Sequence, residues 1–131
     1  MPKVMLVDDD RGMREVLAEA LRREGMEVAP LSGGRAALQE LCRASAEGDS
    51  YDAMILDIVM PDIDGWQVLE AVKSNPLWRD LPVIVVTGCA NGSGDIARVS
   101  RCDGVFVEKN GDFFSVIRAA LGRLIGAAQP S

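Results

Sequence analysis

Ile55-Leu56-Asp57-Ile58-Val59-Met60-Pro61-Asp62-Ile63-Asp64-Gly65 packs a strand end, a loop and a helix start into one short stretch. The apolar run 53–56 reads as a buried strand, and it ends on the acid Asp57. Pro61 and Gly65 re-aim the chain in the loop that follows. Asp64 suits a helix N-cap, and Gln67 stands three residues on, where its side chain can reach back to complete a capping box. Val68, Leu69 and Val72 then recur at helical spacing. The stretch is therefore one strand-to-helix unit that delivers a carboxylate to the strand's carboxyl end.

The same grammar repeats on both sides. Residues 4–7 form an apolar run that stops at Asp8, Asp9 and Asp10. Met13, Val16, Leu17, Ala20 and Leu21 make a helical stripe, and Gly25 supplies its stop. Residues 26–31 read as a weak strand whose Pro30 assigns it to a sheet edge. Ala37, Leu38, Leu41 and Cys42 make a second stripe. Downstream, 82–86 is a β-branched strand ending at Thr87, and 105–107 is a short strand followed by Lys109. The intervening segment, 88–102, contains Gly92 and Gly94, each costing a helix about 1 kcal/mol, so a fourth helix there is expected to be short and late. Phe113, Ile117, Ala120, Leu121 and Leu124 form the final stripe, and 127–131 reads as a frayed tail. Five strand–helix units imply an α/β doubly wound parallel sheet with helices on both faces. No internal repeat or linker divides the chain, so one domain is expected over 1–126.

Composition narrows the chemistry. The chain has 131 residues, 14 Lys and Arg against 20 Asp and Glu, and a net charge of −6. An acidic balance argues against direct nucleic-acid binding. A hydrophobic content of 48% is too high for a disordered segment. Histidine is absent, which removes Ser-His-Asp and Cys-His catalysis, and with them a phosphohistidine on this chain. Cys42, Cys89 and Cys102 form no CxxC pair, and each reads as a small buried hydrophobe. No signal peptide is apparent at the N-terminus, and no apolar run approaches the roughly 18–20 residues of a membrane span. A cytoplasmic protein is expected.

Asp8, Asp9, Asp57, Thr87 and Lys109 each fall at the carboxyl end of an expected strand. Open doubly wound sheets bind ligands at that edge. Three carboxylates held together repel one another unless one is protonated or a cation joins them. Oxygen donors without His or Cys favour a hard divalent ion, Mg²⁺ above all. Three carboxylates, one Mg²⁺ and one lysine sum to zero charge, which suits an incoming phosphoryl group. A carboxylate attacking it would form an aspartyl-phosphate. The Thr87 hydroxyl is a natural further donor, and its movement toward the new charge would carry the loop with it. Asp57 is favoured as nucleophile because Asp8 and Asp9 are adjacent and better placed to hold the ion.

These motifs resemble the receiver domain of two-component response regulators. The matching residues are VDD at 7–9, ILDIVMPDIDG at 55–65, VVTG at 85–88 and FVEK at 106–109. The resemblance spans residues 3–125 and implies a flavodoxin-like five-stranded sheet of order 2-1-3-4-5 flanked by five helices. It assigns Asp57 as the phosphoacceptor. It makes Asp9 and Asp57 side-chain ligands of Mg²⁺, with Asp8 acting mostly through water and the Val59 carbonyl as a further ligand. Thr87 becomes the switch hydroxyl, Lys109 the phosphate-binding cation and Phe106 the aromatic switch.

The implied function is a signalling switch that takes its phosphoryl group from a sensor histidine kinase or phosphotransfer protein. It is not a turnover enzyme. An output domain or target protein is expected on the face of the fourth helix, fifth strand and fifth helix, and a homodimer is compatible with it. The alternative is a receiver-fold interaction module that is never phosphorylated. A phosphohydrolase reading is weak, because Asp57-Ile58-Val59 lacks the second acid such enzymes carry close after the nucleophile.

The remaining polar and aromatic residues read as structural. Asp10 is a helix N-terminal acid, and Asp62 and Asp64 are loop or cap residues. Trp66 and Trp78 are packing or surface aromatics. Ser32-Gly33-Gly34-Arg35 lacks the spacing of either nucleotide fingerprint and reads as a turn before the second helix. Two departures from the family pattern stand out. Asn110 replaces the usual proline after Lys109, so a trans bond is expected there. Val59 and Cys89 replace polar residues that help orient an attacking water, so slow loss of the phosphoryl group is expected.

Overall fold

The computed structural model describes residues 1–88 and 104–126. Within them the strands are β1 (Lys3–Val7), β2 (Glu27–Leu31), β3 (Ala53–Asp57), β4 (Val83–Thr87) and β5 (Val105–Glu108). The helices are α1 (Arg11–Arg23), α2 (Gly34–Ala46), α3 (Gly65–Ser74) and α4 (Phe113–Gly126). All strand pairs are parallel, in the order β2-β1-β3-β4-β5. The sheet order matches the expected doubly wound fold. Four helices are seen among the described residues rather than five. The expected helix within 88–102 and the tail 127–131 lie outside them.

Strand periodicity sorts the core into two layers. Val4, Leu6, Ile55, Ile84, Val86 and Val107 face α1 and α4. Met5, Val7, Met54, Leu56, Val83 and Val85 face α2 and α3. Both faces are covered, which is why the strands read as continuous apolar runs. At the edge, Pro30 pairs in register with Leu6.

Two details of the expected helices change. Val16 is 65% exposed, whereas Leu17, Ala18 and Leu21 are buried. The stripe on α1 is narrower than the apolar spacing implied, because the helix packs on one side only. Cys42 is also exposed rather than buried; on α2 the buried face is Gly34, Ala37, Leu41 and Ala44. Cys89 and Cys102 lie outside the described residues.

At the amino edge of the sheet an ion-pair network ties the chain ends of several elements. Lys3 Nζ reaches Asp49 Oδ2 at 2.6 Å, and Arg43 reaches both Glu40 and Asp49. Tyr51 donates its hydroxyl hydrogen bond to Glu40. The Arg43 guanidinium, joined by this hydroxyl, holds Glu40 down at about 2.

Candidate functional site

The carboxyl edge is assembled from the ends of β1, β3, β4 and β5. β1 ends in four buried residues, Val4 to Val7, and delivers Asp8 nearly buried at the sheet's centre. The next turn is held in place by backbone bonds: the Asp8 amide donates to the Leu31 carbonyl at 3.1 Å, and Asp8 Oδ1 accepts from the Asp10 amide at 2.9 Å. Arg14 Nη1 donates to the Asp8 carbonyl at 2.8 Å. Asp10 in turn N-caps α1 by accepting from the Met13 amide, as its position before the helix implied.

β3 delivers Asp57 beside Asp8. The chain then turns into α3 through the capping box expected from the sequence: Asp64 accepts from the Gln67 amide, and the Asp64 amide donates to Gln67 Oε1. Gly65 is required by packing, since a Cβ there would stand 2.3 Å from the Asp57 carbonyl oxygen. The Gly65 amide donates to the Ile58 carbonyl at 2.8 Å, closing the loop behind Asp57.

Lys109 crosses from the end of β5 to both acids. Its Nζ lies 3.1 Å from Asp8 Oδ2 and 3.5 Å from Asp57 Oδ2. The Lys109 amide also donates to the Thr87 carbonyl at 2.8 Å, so the ends of β4 and β5 are locked together. Thr87 is buried at the end of β4. The bond from Lys109 to Asn110 is not cis, in agreement with the missing proline, and the Asn110 side chain donates to Glu108.

Electrostatics follow from burial. Removal from water pushes the Asp57 carboxyl up to about 6; Lys109 opposes the rise and Asp8 adds to it. Burial lowers Lys109, but Asp57 and Asp8 outweigh it, and the ammonium ends above its ordinary value. One lysine does not satisfy three acids.

One oxygen from each of Asp8, Asp9 and Asp57 lies within 4.8 Å of the others, with Asp9 exposed at the mouth. The donor set is all oxygen and carries excess negative charge, which fits a small hard divalent cation. Asp8, Asp9, Asp57 and Lys109 are thus brought together, and Thr87 is joined to Lys109 through the backbone. Val59 lies in the loop after Asp57 with its side chain 63% exposed. Phe106 is half-buried on β5, against the core layer facing α2 and α3. Cys89 lies outside the described residues.

Two features escaped sequence reading. Arg14, which holds the Asp8 carbonyl, gave no signal beyond a charge on a helix. Asp62 reaches back to α2: its carboxylate accepts from the Arg35 amide at 3.0 Å and the Gly34 amide at 3.4 Å. Of Ser32-Gly33-Gly34-Arg35, expected as a turn before the helix, only Ser32 and Gly33 precede α2; Gly34 and Arg35 are its first two residues. The glycines serve close approach, since a Cβ on Gly34 would lie 2.5 Å from Ile63 Cγ1. Trp66 and Trp78 pack as half-buried aromatics against that same core, and Trp78 Nε1 donates to Ser45 Oγ.

The family model described as the response regulator receiver domain matches residues 4–110. The transcriptional regulatory protein TcrA of Mycobacterium tuberculosis is 34% identical over 65% of this chain and 31% of its own length. The response regulator protein FleR of Pseudomonas aeruginosa is 31% identical over 97% of this chain and 26% of its own. The chain spans about a third or less of these curated relatives. Among solved structures, the phosphorylated cyanobacterial phytochrome response regulator RcpA superposes with a TM-score of 0.84 at 25% identity, covering 99% of both chains. The response regulator TrrA of Thermotoga maritima, in complex with Mg²⁺-BeF, gives 0.79 at 28% identity, covering 95% of this chain and 99% of its own.

Proposed function

The chain belongs to the response regulator receiver domain family, and we propose that it is a phosphoacceptor switch whose acceptor is Asp57. The observation that carries this reading is the reach of Lys109 Nζ to Asp8 and Asp57, with Asp9 completing the acid cluster.

Asp57 Oδ attacks the phosphorus of a phosphohistidine on a sensor histidine kinase or phosphotransfer protein. The P–N bond breaks, and the imidazole leaves with its electron pair. Lys109 is already paired with the acceptor and needs only a small shift to meet the phosphoryl oxygens. Asp9 and Asp57 would hold Mg²⁺ by their side chains, Asp8 through water, and Val59 by its carbonyl. Bound there, Mg²⁺ neutralises charge on the phosphoryl oxygens. The chain modifies its own side chain and does not turn over a substrate.

The added phosphate brings about −1.5 to −2 charge to a buried edge. Thr87 turns its hydroxyl toward it, the end of β4 follows, and Phe106 moves into the space released. Because Lys109 and Thr87 share a backbone hydrogen bond, the shift spreads to β5 and α4, the face offered to an output domain or target. Among the described residues no helix is long and apolar enough to cross a membrane.

The test is incubation with acetyl phosphate and Mg²⁺ followed by mass measurement. Wild type gains one phosphoryl group; Asp57→Asn gains none. An unmodified wild type, or a modified Asp57→Asn, overturns the assignment.

A further inference from the structure

The N-cap of α2 is Gly33, which offers no side chain to the helix's free amides. Asp62 supplies the missing acceptor from 27 and 28 residues away, through the Arg35 and Gly34 amides. Its carboxyl is held below the usual range, first by the Arg35 amide. The fit is tight on both sides. A Cβ on Gly33 would lie 2.9 Å from Asp62 Oδ2, and one on Gly34 would lie 2.5 Å from Ile63 Cγ1 and 2.8 Å from Val68 Cγ2.

Asp62 also belongs to the loop that leaves Asp57. Ile58 and Met60 anchor that loop from inside, Gly65 closes it onto Ile58, and Asp64 starts α3. A single carboxylate therefore belongs to the loop after Asp57 while satisfying the first turn of α2.

We propose that Asp62 is a positioning residue that couples the acidic pocket to the N-terminus of α2. A shift of the loop that reaches Asp62 as the pocket fills would change the bonds to Arg35 and Gly34. Coupling of this kind is reciprocal: if pocket occupancy changes the cap, loss of the cap changes pocket affinity by the same factor. The inference rests on the Mg²⁺ pocket of the functional reading, and it assigns α2 as a second element that senses the site.

The test uses the intact chain. Amide hydrogen exchange at Gly34 and Arg35 is read without ligand, with Mg²⁺, and with Mg²⁺ plus beryllofluoride. Mg²⁺ affinity is read by Trp66 fluorescence in wild type, Asp62→Ala and Asp62→Asn. Wild-type protection at Arg35 is expected to rise about fivefold on occupancy, and Asp62→Ala to weaken Mg²⁺ binding by a similar factor. Asn, which keeps an acceptor oxygen, restores most of the affinity. Equal Mg²⁺ affinity in a folded Asp62→Ala, or unchanged Arg35 exchange in a Mg²⁺-binding wild type, overturns the coupling alone. A wild type that binds no Mg²⁺ overturns the functional reading, and the coupling falls with it.

Discussion

Lys109 and Asp8 are 101 residues apart in the chain and meet at 3.1 Å. Every strand of the sheet except the β2 edge contributes to that meeting, because β5 reaches β1 only through the order of β4 and β3 between them. The contact is also the charge balance of the site, with one ammonium set against a cluster of acids.

Replacing the cation tests that balance. Lys109→Met leaves Asp8 and Asp57 buried without their partner, a loss of about 3–5 kcal/mol in unfolding free energy without metal. The variant should bind Mg²⁺ more tightly than wild type, since a competing positive charge is gone, yet accept phosphate far more slowly. Denaturant midpoints with and without Mg²⁺, and acetyl phosphate labelling, report both.

Asp57 gives the opposite sign. Its folded value stands near 6 against an ordinary 3.8. A raised carboxyl costs nothing at pH 3, where both states are neutral, and the cost grows as pH climbs through 4 to 6. Asp57→Asn is therefore expected to stabilise the metal-free protein at pH 7.5 by about 1–3 kcal/mol. The gain should vanish at pH 3 and shrink when Mg²⁺ is added. Thermal unfolding across that range checks it.

Glu40 behaves in the usual carboxylate direction. Arg43 and Tyr51 hold it near 2 in the folded chain, against an ordinary 4.5. Its contribution is complete above about pH 4.5 and is lost as pH falls toward 2. Glu40→Gln should flatten that part of the acid unfolding curve without altering phosphate acceptance, which takes place at the other edge of the sheet.

Gly65→Ala should be severe for its size. The new Cβ meets the Asp57 carbonyl at 2.3 Å, and that oxygen belongs to backbone with no side-chain freedom. A loss of about 2–3 kcal/mol is expected, with slower phosphate acceptance because the end of β3 is pushed aside.

Val59 is expected to lengthen the life of the modified state. Its exposed apolar side chain gives no hydrogen bond to an incoming water. Val59→Asn should shorten the lifetime of the phosphorylated chain severalfold, measured as loss of label after the donor is removed.

Much of this arrangement is legible in the sequence. Asp8, Asp57, Thr87 and Lys109 each follow an apolar run, and parallel topology sends such positions to one edge. The Asp64–Gln67 box is local, so three residues of sequence carry it. Asp62 was harder, because its partners lie on a different helix and only the packed loop brings them near. Val16 and Cys42 are exposed for a related reason: apolar spacing marks a stripe but not how wide a neighbour covers it.

One edge of the sheet has a consequence for solution behaviour. Glu27 and Leu31 bond inward to the residues flanking β1, so the alternation of a parallel strand turns the backbone of Val28 and Pro30 outward. Arg22 already occupies the Val28 carbonyl, and Pro30 has no amide hydrogen to offer. A stray strand approaching this side finds few groups to zip onto. That flank is thus a poor template for adding a strand from a second chain.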